Sequence, residues 1–152
     1  MFDDDDVKVI ANNPSIIKHL DIYQSIIKRI ADSSTKCKLW CIVLLSVILL
    51  FSITKRIPAL IHLSYIPLFL FYFLDSYYLA LESDFRKSYN RLVNNINNKN
   101  LDAIRIYDIT LNTNYFHRVG LTIFHAVKSP ATLPFYGSLF LLILVAKSYF
   151  VS

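Results

Sequence analysis

The sequence predicts an all-α, or mostly α, membrane protein with three transmembrane helices and an amphipathic helix ahead of them. Three observations carry that expectation. Of 152 residues, 55% are hydrophobic and only 18% charged, which is too apolar for an ordinary soluble domain of this size. Three apolar stretches stand out, at residues 39–53, 57–74 and 134–146, the last continuing through 149–151 beyond Lys147. Positive charge is distributed unevenly around them. Lys28, Arg29, Lys36 and Lys38 precede the first stretch, and Arg86, Lys87, Arg91 and Lys99 follow the second. Only Lys55 and Arg56 lie between the two. Basic residues gather on the cytoplasmic side of a membrane, so the order reads N-in, C-out, with a tight outer hairpin at 54–58.

Residues 1–152 form one membrane domain in this reading. The start, "MFDDDDVKVI", is acidic where a secretory signal is basic, so insertion is expected through the chain's own helices. Residues 14–32 make the amphipathic helix, with Asn13 as cap and Pro14 at the first helical position, where its missing N–H is not needed. Ile16, Ile17, Leu20, Tyr23, Ile27 and Ile30 recur at helical spacing, leaving Lys18, Asp21, Gln24, Lys28 and Arg29 on other faces. Such a helix either lies in the membrane surface or packs on the cytoplasmic part. "ADSSTK" (31–36) offers a cap or a bend before the first span at 37–54.

A hydrocarbon core of roughly 30 Å needs about 20 helical residues. The first and third stretches fall short of that, and Lys38 and Lys147 extend them by keeping their stems in the apolar layer. Cys37 and Cys41, one helical turn apart, read as small apolar residues. The second span covers 57–81. Pro67 within it frees the carbonyl of Leu63 and predicts a kink. Beyond the span the helix continues into the cytoplasm to about 97, on an apolar stripe of Phe85, Tyr89, Leu92, Val93 and Ile96. Glu82 and Arg86 are in the favourable i, i+4 order. "NNINNKN" (94–100) ends that helix. Trp40, Tyr77 and Tyr78 suit an aromatic belt at the inner interface.

Residues 101–130 form a small cytoplasmic or interfacial segment, with a short strand expected at 101–111 and an interfacial helix at 114–128. The third span is 131–151.

No enzymatic constellation is evident, and neither a cofactor nor a metal is expected. His19, His62, His117 and His125 are scattered over separate segments. Arg118 and His125 loosely match the Arg-His pair of dimeric helical ribonucleases, but the "VGLTIF" between them is apolar. Asp75 stands out, because an ionisable residue at the end of a span is a functional candidate by default. At 100° per residue it shares a face with Tyr78, Glu82, Arg86 and Tyr89, giving a polar ladder that either ties the helix end to its neighbours or lines a vestibule. His62, Tyr65, Phe69, Tyr72 and Ser76 share another face, which either packs on helices or lines a water path with Phe69 as its constriction. Together with Asp75 they are the candidate pore or gate. Three spans leave no room for a conducting path, so a pore requires a homo-oligomeric bundle.

Net charge is +5 despite the acidic run Asp3 to Asp6. Lys28, Arg29, Lys36, Lys38, Arg86, Lys87, Arg91, Lys99, Arg105 and Arg118 are the candidate ligand-binding cations. They either satisfy the positive-inside rule and touch anionic lipid, or form a platform for nucleic acid or a nucleotide. Tyr89, Tyr107, Tyr115 and Phe116 are available for base stacking.

"SSTKCKLWCI", the hairpin ending in "LDSYYLALESDFRKSY", and "TLPFYG" before the last span resemble a group of small bacterial multi-pass effectors from anti-phage defence operons. Within that group they are most similar to the Hailong opening proteins. The resemblance covers about 15–92 and 132–151 and is most specific from Leu74 to Arg86. It implies a homotetrameric ion channel in the bacterial inner membrane. Single-stranded DNA oligomers from a partner nucleotidyltransferase in the same operon would hold it closed, and infection would open it to depolarise the cell. The basic positions would then hold the oligonucleotide and the second span would supply the gate. Related effectors gated by cyclic nucleotides, and a non-conducting membrane scaffold, are the alternatives. Residues 94–130 match no pattern of the group.

Overall fold

A computed structural model describes residues 13–98 and 132–151, and every element among them is helical. The first, α1, runs Pro14–Lys55, 42 residues or about 63 Å at helical rise. Asn13 caps it as expected, its side-chain oxygen accepting from the Ser15 N–H at 3.0 Å. The amphipathic helix and the first apolar stretch are therefore one helix, with no bend at 31–36. The polar residues there find partners without leaving the helix. The Ser33 and Thr35 hydroxyls donate to the carbonyls of Arg29 and Ala31, at 3.0 and 3.2 Å, and Ser34 turns inward.

One face of α1 is buried along its whole length, through Ile16, His19, Tyr23, Ile30, Ser34, Cys37, Cys41, Leu45, Leu49 and Ser52. Steps of three and four residues keep such a stripe against a single neighbour. That neighbour is α3, Tyr65–Asn97, which runs back antiparallel. The amphipathic part of α1 thus packs on the extension of the second apolar helix.

The reversal is compact. Arg56 takes the left-handed conformation (φ 51°, ψ 41°), its N–H donating to the Ile53 carbonyl, while the Ile57 N–H reaches the Ser52 carbonyl at 3.1 Å. These two bonds are a Schellman ending. The Ser52 hydroxyl adds a third bond, to the Ile57 carbonyl at 2.9 Å. A short helix, α2 (Ala59–Leu63), follows, and the chain breaks helical continuity at Ser64 before α3. Pro67 explains the break, since it offers no N–H to the Leu63 carbonyl four residues back. The C-terminal end of α3 is closed by the Asn98 N–H on the Asn94 carbonyl, inside the predicted asparagine run.

The last helix, α4 (Leu133–Val151), lies against α1, α2 and α3. Two helical stretches, Pro14–Lys55 and Ala59–Asn97, are long and apolar enough to cross a membrane. Only 28% and 33% of their apolar windows are buried inside the protein, unlike core helices of a soluble fold. Large apolar side chains instead point outward, among them Leu50 (64% exposed), Ile66 (62%) and Val145 (69%). The predicted strand and the interfacial helix lie outside the described residues.

Candidate functional site

The outer surface of the α1–α3 hairpin changes character at one level. Before Lys38, exposed positions on α1 include Asp21, Lys28, Arg29 and Lys36; after it they include Leu39, Trp40, Ile42, Val43 and Leu44. On α3 the order reverses, from Ile66, Phe69, Leu70 and Phe73 to Arg86, Lys87 and Arg91. Asp75 sits at this boundary, fully buried. Of the three expected belt residues, Trp40 and Tyr77 are exposed near the same level, while Tyr78 is half-buried.

A closed triangle of polar groups surrounds the carboxylate. The Lys38 ammonium lies 2.9 Å from Asp75 Oδ2 and donates to Oδ1 at 3.1 Å. It also donates to Ser34 Oγ at 3.2 Å, and that hydroxyl donates to Asp75 Oδ1. Oδ2 receives the charge of Lys38 without an aligned N–H, so the ammonium's directional bonds go to Oδ1 and Ser34. Tyr136 of α4 stands beside the carboxylate and donates to the Phe71 carbonyl at 3.2 Å. Three helices meet there around one buried charge.

The expected ladder does not form as a single series. Asp75 is satisfied across the seam by α1. Glu82 pairs within α3 with Arg86 at 2.8 Å, and Tyr89 accepts from Gln24 Nε2 at 3.1 Å. Tyr78 packs on the cluster around Tyr23, Ile30 and Phe85. The seam faces α1, so a group at Asp75's position meets Lys38 before it meets anything one turn along its own helix.

The six candidate gate residues separate into outward and inward sets. His62 and Phe69 are exposed. Tyr65 and Tyr72 are half-buried against α4, their rings 5.9 Å from Phe140 and 5.3 Å from Tyr136. Asp75 and Ser76 are buried, with the Ser76 hydroxyl returned to the Tyr72 carbonyl at 2.8 Å. Phe69 and Tyr72 wall an apolar cavity of about 360 Å³ between α3 and α4, where Gly137 leaves open space.

The cations also divide. Lys38 is committed to Asp75, Arg86 to Glu82, and Lys87 to Asp84 at 3.2 Å. Lys28, Arg29, Lys36 and Arg91 are exposed and form no ion pair among the described residues. On α1 the first three fall opposite the buried stripe, so they share the outer face of the hairpin. Lys99, Arg105 and Arg118 lie outside the described residues. Sequence reasoning missed Ser34 and the pairing of Lys38 with Asp75. The available signal was a lysine and a serine one turn apart at the start of a span, opposite a lone aspartate at the end of the next.

No protein family, curated protein or solved structure matches this chain.

Proposed function

We propose that the chain is the subunit of a homo-oligomeric ion channel in a bacterial inner membrane, an anti-phage effector held closed by a nucleic-acid ligand. The observation that carries this reading is the continuity of α1 and α3. Each runs unbroken from an apolar-faced half to a polar half, which bears the free cations Lys28, Arg29 and Lys36 on α1 and Arg91 on α3, so binding at one end has a rigid route to the other. In this reading α4 is a third span. Its 19 residues give about 28 Å, close to a hydrocarbon core of roughly 30 Å. The N-terminus is then cytoplasmic and the C-terminus outside. Single-stranded DNA oligomers, supplied by a nucleotidyltransferase, bind the closed state more tightly than the open one. A ring of chains, four in the form the resemblance implies, encloses the path.

The outer face of α1 offers Lys28, Arg29 and Lys36 to phosphates. Their triple substitution by glutamate is expected to weaken binding of a single-stranded oligonucleotide and to lower the log–log salt slope by about 2, from roughly 0.7 per phosphate contact. The same variant should conduct in planar bilayers at oligonucleotide concentrations that silence the wild type. Unchanged affinity and slope would remove the ligand assignment. A wild type that conducts under no condition would favour the second reading, a membrane anchor without a pore. That reading draws support from the burial of Asp75 and Ser76 within one chain.

A further inference from the structure

The seam between α1 and α3 is not one continuous hydrophobic core. One cluster, built on Cys41, Leu45, Leu68 and Ile143, holds the apolar half; another, built on Tyr23, Ile30 and Phe85, holds the polar half. Between them Ser34, Asp75, Ser76 and Ala80 are buried but too small or too polar to extend either cluster. What joins the two helices at this level is the Ser34–Lys38–Asp75 triangle.

We infer that this triangle is a latch: the seam closes on the ion pair as a two-state element, and its opening parts α1 from α3 at the level of Cys37 and uncouples the two halves. Burial makes the contact all-or-none. While paired, each charge replaces the water the other has lost. Once the pair breaks, a carboxylate with no exposure of its own must be hydrated or left bare, and either is costly unless the helices move apart. Lys38 is 24% exposed on its side chain, so water reaches the pair from the ammonium side and hydration begins there. The inference rests on the packing of α1 against α3 and uses the channel reading only in one arm of its test.

Thiol accessibility on the full chain in liposomes provides that test. Cys37 and Cys41 are the two cysteines of the protein; both are free and buried on the seam face of α1. Maleimide labelling is compared for wild type, Asp75→Asn, Lys38→Met, and the double variant Lys38→Met/Asp75→Leu. A latch predicts roughly tenfold or greater acceleration in each single variant and a near wild-type rate in the double one, where no charge is left stranded. Wild-type rates in both singles, or a double variant as fast as they are, would overturn it. Should a single variant lose its helix content, Ser34→Ala removes only the bridging hydroxyl and is expected to accelerate labelling by roughly fivefold; no acceleration there also counts against the latch. Conductance of the same liposomes separates the two ideas. The predicted labelling pattern without current in any variant keeps the latch and removes the channel, whereas current with uniformly slow labelling does the reverse.

Discussion

Replacing Phe85 with alanine should loosen the polar half of the hairpin and leave the apolar half intact. Phe85 is 8% exposed, and its ring meets Tyr23 edge-on, with centroids 6.3 Å apart at 62°. Burying a phenylalanine side chain contributes about 1.5–3 kcal/mol, and a favourable aromatic pair adds about 0.5–1.5 kcal/mol. The surrounding Ile26, Ile27, Leu81 and Leu92 are only partly buried, so they can collapse toward the gap and limit the cavity term. The expected loss is about 3 kcal/mol, or roughly two orders of magnitude in a local opening equilibrium. Hydrogen exchange on the full chain in a bilayer mimic reads this directly. Amides of residues 16–30 and 85–96 should exchange faster by that factor, while those of α4 and of α1 beyond Cys41 keep their protection. The two hydrophobic clusters share no buried residue, so the damage stops at the triangle. Loss of protection spread evenly over both halves would refute it, as would Phe85→Leu being as damaging as Phe85→Ala.

Two further substitutions probe the ends of the bundle. Arg56→Gly should stabilise the turn between α1 and α2 by about 0.5–1 kcal/mol, because arginine holds a left-handed conformation at the position where glycine has no Cβ penalty; a shift in the detergent unfolding midpoint measures it. Tyr136→Phe should cost about 1 kcal/mol by removing the bond to the Phe71 carbonyl, and the loss should appear as faster exchange in α4 before any change in the polar half.

The sequence conveyed the helices well, because their signals are local. Asn13-Pro14, the effect of Pro67 on the Leu63 carbonyl, the i, i+4 pair Glu82–Arg86 and the asparagine run at the end of α3 all depend on residues within one turn. The continuity of α1 through 31–36 was harder to foresee. Serine and threonine there are weak helix formers, and what keeps them helical is partly Asp75, which arrives from 41 residues away. Helical-wheel reasoning put Asp75 with Glu82 and Arg86, since a wheel shows which residues share a face but not what that face meets. The relevant partner depended on the antiparallel register, which sets Lys38 and Ser34 against Asp75 just as it sets Tyr23 against Phe85. The candidate cations were all visible as residue types. Which of them are already neutralised was not, because that depends on side-chain geometry and packing.

The composition of the seam changes where the outer surface changes, and the two changes have opposite sense. In the half with polar outer faces the helices meet through large, mostly apolar groups: Ile16, His19, Tyr23, Ile30, Phe85 and Ile96. Where the outer faces are apolar, buried serines and cysteines join the leucines: Cys37, Cys41, Ser52, Ser64 and Ser76. Water drives the first kind of contact, since apolar surface gains by leaving it. Hydrocarbon supplies no such drive, as lipid is as apolar as the helix, and association there relies on close approach of small residues and on hydrogen bonds between helices. Tyr136 on the Phe71 carbonyl and Ser34 on Asp75 are bonds of that second kind. In the membrane reading proposed above, this reversal of packing chemistry marks the passage from bilayer to water. The reversal falls at Lys38 and Asp75, the level at which a buried ion pair is cheapest to keep and easiest for water to reach.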